Sequence, residues 1–195
     1  MATTIQDFFS KAQSSQFSRD FLFRVKNIQL AGGVNFSGAP GSDDTNQLVY
    51  ARTAALPGRN ITNQTVNYYG QEFQVPGRAT YANAAGYSIE FYHDESCDLR
   101  NQFEQASRIV WEGATGDARD STGLYGMPGP GDVIDLQQIN KDLVKVKDIQ
   151  LVGASIRDIG DISYSIAEGQ GAILNFSVTF AYHFYKDFSN DRPRP

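Results

Sequence analysis

Residues 174–184 read Leu-Asn-Phe-Ser-Val-Thr-Phe-Ala-Tyr-His-Phe, and this alternation constrains the fold more than any other feature of the chain. Leu174, Phe176, Val178, Phe180, Tyr182 and Phe184 fall on one side, and Asn175, Ser177, Thr179, Ala181 and His183 on the other. A period of two buries one face of a strand and no face of a helix. The run predicts a strand longer than the usual five or six residues, which suits a curved sandwich or partial barrel. The same period sets Phe21, Phe23 and Val25 against Leu22, Arg24 and Lys26, and places Tyr87, Ile89 and Phe91 on one face. Residues 48–55 and 143–152 also read as strands, and residues 159–166 alternate loosely. Residues 65–75 form two extended arms around Gly70.

Two segments change period. Ile5, Phe8, Phe9 and Ala12 sit at i, i+3, i+4 and i+7, one face of a short N-terminal helix that Thr3 or Thr4 can cap. Leu99, Phe103, Ala106 and Val110 make a second stripe, predicting a helix over about residues 94–112 that ends at Gly113. Arg100, Glu104 and Arg108 line another face of it at pairing distance. A mainly β domain with one flanking helix follows, spanning residues 1–195. Gly-rich flexible insertions are expected at about 31–46 and 113–131, with a short tail at 188–195.

Charge and cysteine content remove several function classes. The net charge of −5 argues against affinity for a nucleic-acid backbone, which needs clustered cations. A single cysteine, Cys97, excludes a disulfide framework and a multi-cysteine zinc module, and it fits a reducing compartment. No secretory leader is visible, and the longest apolar run is too interrupted for a membrane helix.

The cluster His93, Asp94, Glu95, Cys97 and Asp98 invites a metal or catalytic reading. A metal would need two ligands beyond His93 and Cys97, and the other histidine, His183, lies in the last strand. A helix start explains the cluster with less: Asp94 or Ser96 caps, and the acidic residues meet the positive end of the helix dipole. No Gly-x-Ser-x-Gly elbow occurs, the nearest run being Gly-Ala-Ser-Ile-Arg at 153–157, and neither Gly-rich loop carries a phosphate-binding motif. No catalytic residue, metal or cofactor is expected. The polar projection at residues 60–74 has little core of its own, so it is expected to rest on another subunit.

Taken in order, Phe-Ser-Arg-Asp-Phe-Leu-Phe-Arg-Val at 17–25, Ala-Arg-Thr-Ala-Ala-Leu-Pro-Gly at 51–58 and Tyr-Gly-Gln-Glu-Phe-Gln-Val-Pro-Gly-Arg at 69–78 lead to Tyr-Ser-Ile-Glu-Phe-Tyr-His-Asp-Glu at 87–95. The chain closes with Leu-Val-Gly-Ala-Ser-Ile-Arg-Asp-Ile-Gly-Asp-Ile-Ser-Tyr at 151–164 and Asn-Phe-Ser-Val-Thr-Phe-Ala-Tyr at 175–182. This series resembles the tail tube proteins of contractile-tailed, myovirus-type bacteriophages over about residues 5–187. Ile156 departs from it, standing where members often carry Pro.

The resemblance implies a β-sandwich or partial barrel whose copies form homo-hexameric rings, stacked into a hollow virion tail tube assembled in the bacterial host cytoplasm. Implied partners are the chain itself, the tail sheath protein, the baseplate or tube initiator, the tape measure protein and the tail terminator. DNA would pass through the lumen without specific binding, and six copies carrying about −30 in all would let it slide. Within that reading, inter-subunit contacts are expected at Ile5, Phe8, Phe9, Asn60, Tyr68, Tyr69 and Phe73, with Arg100, Glu104 and Arg108 toward the sheath. Asn175, Ser177 and Thr179 are the lumen-facing expectation. A tail-tube initiator at the baseplate is the near alternative, and a monomeric β-sandwich ligand-binding module the alternative from another class.

Overall fold

The computed structural model describes residues 20, 22–30, 34–37, 51–81, 84–112, 117–118, 128–164, 171 and 173–188. The expected N-terminal helix with Ile5, Phe8 and Phe9, most of both Gly-rich segments and the C-terminal residues from 189 on lie outside the described residues.

Thirteen strands and one helix occur among the described residues: β1 Phe23–Leu30, β2 Val34–Ser37, β3 Ala51–Thr53, β4 Arg59–Tyr68, β5 Gln71–Tyr81, β6 Tyr87–Tyr92, α1 Asp98–Val110, β7 Trp111–Glu112, β8 Asp117–Ala118, β9 Val133–Ile139, β10 Lys145–Val152, β11 Ser155–Ile159, β12 Asn175–Ala181 and β13 Phe184–Phe188. One sheet has the order β13-β10-β9-β1-β2 and a second the order β11-β12-β6-β3, while β4-β5 and β7-β8 stand as two-stranded ribbons. All these pairings are antiparallel.

The core lies between the two larger sheets. Val25, Ile28, Ile134, Leu136, Ile149 and Leu151 come from the five-stranded sheet, and Tyr87, Ile89, Phe91, Phe176, Val178 and Phe180 from the four-stranded one. Helix α1 buries Leu99, Phe103 and Ala106 against them, as the stripe predicts. The Phe103 ring stacks on Phe36 of β2 at 4.5 Å and meets Phe91 at 5.3 Å, Phe176 at 6.4 Å and Phe180 at 6.1 Å. One side chain of the helix thus touches both sheets.

Several boundaries differ from the sequence reading. The long final strand is two strands: β12 belongs to the four-stranded sheet and β13 to the five-stranded one. Tyr182 N donates to Ala84 O and His183 N to Val152 O, so the chain changes sheets there and the alternation resets. Phe184, expected in line with Phe176, is consequently 39% exposed. In β1 a register shift between Val25 and Asn27 lets both Val25 and Ile28 face the core, which strict alternation forbids. The helix begins at Asp98 and not at 94, because Cys97 turns with a positive φ of 59° ahead of it. Regular pairing of the loosely alternating stretch ends at Ile159, with β11 starting earlier, at Ser155. Val34–Ser37, within the expected insertion, pairs with β1.

Candidate functional site

Strands β4 and β5 form a hairpin of ten and eleven residues on which every position from Arg59 to Ala79 is exposed. Tyr69 and Gly70 turn it with φ values of 52° and 75°, the signature of a two-residue turn with both central residues left-handed. Near the root the register shifts between Ile61 and Asn63, and a β-carbon at Gly77 would lie 2.9 Å from Thr62 O. Glycine permits that close approach, and Pro76 beside it donates no ladder hydrogen bond.

The pairing sorts the arms into two faces. Val66 pairs with Phe73, Gln64 with Val75 and Tyr68 with Gln71, so Val66, Tyr68, Phe73 and Val75 share one face. Asn67 with Glu72 and Thr65 with Gln74 share the other, where Gln74 Nε2 donates to Thr65 Oγ1 at 2.9 Å. The apolar face carries Val66, Tyr68, Phe73 and Val75 at 49%, 66%, 48% and 46% exposure, and Tyr69 at the tip is 91% exposed. Asn60, opposite Thr80, sits exposed at the root. The sequence singled out Asn60, Tyr68, Tyr69 and Phe73; it missed Val66 and Val75, whose shared face the cross-strand register reveals.

The root is fastened to the core. Buried Tyr87 donates its hydroxyl hydrogen bond to Ala55 O at 2.5 Å, just ahead of the hairpin, and burial pushes this phenol far above its ordinary pKa. Beside the root, Arg59, Tyr81, Tyr185, Lys186, Asp187 and Phe188 line an open cleft of about 540 Å³. Tyr81 and Tyr185 meet edge to face at 5.2 Å, and Lys147 Nζ holds Asp187 Oδ2 at 2.8 Å.

The remaining expected residues occupy two other surfaces. On β12, Asn175, Ser177 and Thr179 alternate with the buried Phe176, Val178 and Phe180 and pair with Tyr92, Glu90 and Ser88 of β6, giving the four-stranded sheet a polar outer face. On α1, Arg100 Nε meets Glu104 Oε1 at 3.0 Å, and a second guanidinium nitrogen donates to Gly160 O at 2.7 Å. The guanidinium carbon also lies 5.9 Å from the Phe176 ring centre, so Arg100 ties the helix to the end of β11. Arg108 is exposed.

The His93 cluster builds the helix start. Asp94 Oδ2 accepts from Ser96 Oγ at 2.6 Å and from Asp98 N at 3.0 Å. Burial alone would raise the Asp94 carboxyl, but these hydrogen bonds outweigh it and hold its pKa below the ordinary value. His93 Nε2 lies 3.3 Å from Cys97 Sγ and 3.1 Å from the Tyr164 hydroxyl. Among the described residues, no group of three or more His, Cys, Asp or Glu is placed to hold a metal ion. No helix there is long and apolar enough to cross a membrane.

No protein-family model matches the sequence, and no curated protein does. Solved structures do match. A chain of the 6-fold symmetrised anti-feeding prophage (AFP) baseplate shares 13% identity at a TM-score of 0.56, over 90% of this chain and 97% of that one. A chain of the PVC sheath/tube terminator, an extracellular contractile injection system in its extended state, shares 9% at a TM-score of 0.52, over 89% and 97%. The chain shares its fold with components of contractile injection systems. Mainly antiparallel β structure with a single described helix agrees with the fold class that the sequence resemblance implied.

Proposed function

We propose that this chain is a structural, non-catalytic tube subunit of a contractile tail, closing into hexameric rings that stack inside a sheath as a conduit for DNA. The amphipathic β4–β5 hairpin carries the reading. A two-stranded ribbon is marginal in water, and an apolar stripe rimmed by polar residues marks a surface that another protein covers. Among the described residues four outer strands, β13, β2, β11 and β3, leave sheet edges that ring closure would pair or shield. The net charge of −5 per copy suits passage of a polyanion, because it repels phosphate. Sheath, baseplate, tape measure and terminator proteins are the proposed partners, and the virion tail is the proposed location.

Phe73→Asp tests this directly. It places a charge on the apolar face without touching the core, so the folded subunit should persist while sedimentation shows loss of rings and tubes. Undiminished assembly would contradict the reading. A single ring at the baseplate is the second reading, since one of the matched structures is a baseplate. Polymer length separates the two: a tube subunit extends without limit, whereas an initiator stops at one ring.

A further inference from the structure

Two ends of the hairpin differ in chemistry. Its tip presents Tyr68 and Tyr69, rings 5.0 Å apart, with Glu72 one pair below the turn. Its root opens on the cleft where Arg59 and Lys186 stand with Tyr81, Tyr185 and Phe188. Asp187 also lines that cleft, but Lys147 already neutralises it, so the cationic groups dominate. Behind the wall the Tyr182 ring lies 6.4 Å from Tyr81, 4% exposed, and its hydroxyl has no hydrogen-bond partner among the described residues. Burial first, then the neighbouring Tyr185 and Tyr81 hydroxyls, raise the pKa of Tyr182, which keeps it a neutral donor.

We propose that this cleft is the receptor for the hairpin tip of a second copy, with the Tyr68–Tyr69 pair on Tyr81, Tyr185 and Phe188 and the Glu72 carboxylate on Arg59 and Lys186. The inference rests on the tube reading and names the partner surface of its hairpin. Geometry makes the contact intermolecular. The ten residues of β4 at ~3.3 Å each put the tip roughly 30 Å from its own root, so no subunit can fill its own cleft. Tip and cleft are different patches, and a head-to-tail contact of that kind propagates instead of closing on a dimer. Acid against two cations and aromatic against aromatic supply register as well as attraction.

Charge reversal in the full-length chain tests it. Glu72→Lys alone, and Arg59→Glu with Lys186→Glu, should each raise the concentration at which polymer sediments by about tenfold or more, as expected for breaking a charge pair at an interface. Combining all three should restore most of that loss, because the pair is re-formed with its signs exchanged. Losses that add instead of cancelling, or single reversals that leave polymerisation untouched, overturn the tip-in-cleft contact while leaving tubes in place. All these positions are at the surface; should a reversal unfold the chain, the neutral variants Glu72→Gln and Lys186→Gln are used instead, and the double variant should lose no more than either single one, whereas losses that add overturn the contact. Wild-type chain that makes no polymer, alone or on baseplates, overturns the tube reading itself.

Discussion

Gly153 lies against the imidazole of His183 so closely that any β-carbon at Gly153 would collide with the ring. The contact marks the sheet crossing: Val152 O accepts from His183 N at 2.9 Å, and Gly153 N donates to Asp132 O at 2.8 Å. Gly153 also has a φ of 70°, which side-chain-bearing residues rarely adopt. Gly153→Ala is therefore expected to cost about 1–3 kcal/mol from backbone strain, with the collision adding to it. Chemical denaturation of Gly153→Ala with and without His183→Ala separates the parts: the second change should return the collision cost and leave the strain.

Phe103 fills the space between helix and sheets, fully buried among four phenylalanine rings. Phe103→Ala should destabilise the subunit by about 3–5 kcal/mol through lost burial and the cavity left behind. Denaturant midpoints measure this. A loss under about 1 kcal/mol would mean that α1 does not close the core.

Asp94 caps α1 from four residues before its first amide. Replacing it with Ala should cost about 0.5–2 kcal/mol. Its folded pKa is depressed, so the cap contributes in full above the unfolded value of about 3.9 and is lost as pH falls through the lower folded value. Wild type and Asp94→Ala should thus differ in melting temperature at pH 6 and converge in acid. A difference that grows as pH falls would contradict the assignment.

Asn175 sits exposed on the polar face expected to line the lumen, and Arg108 on the helix face expected outward. Asn175→Cys should react with a bulky maleimide in the monomer and resist it inside assembled tubes. Arg108→Cys should stay reactive in bare tubes, and the native Cys97 sets the background. Equal protection of both would overturn the assignment of faces.

How far the sequence spoke depends on what each element needed from elsewhere. Tyr87, Ile89 and Phe91, and the stripe Leu99, Phe103 and Ala106, announced themselves because each element buries one face and its period is local. The crossing at Tyr182 and His183 did not, since apolar residues continue through it and only pairing partners reveal the change of sheet. Val133–Ile139 was equally hidden: as a central strand it buries Val133, Ile134, Leu136 and even Gln137, which accepts from Arg24 Nε at 3.1 Å, so no alternation survives. At the hairpin, the lack of a core of its own was legible from composition, but the apolar face that Val66 and Val75 share with Tyr68 and Phe73 needed the cross-strand register. The cleft at its root was not, because Arg59 and Lys186 are more than a hundred residues apart and only the fold joins them.

Electron microscopy of the purified wild-type chain across a concentration series, alone and with baseplates, measures the central claim most directly. Hollow tubes built of stacked six-fold rings are the expected result. Dispersed subunits at every concentration that also fail to extend from baseplates would contradict it.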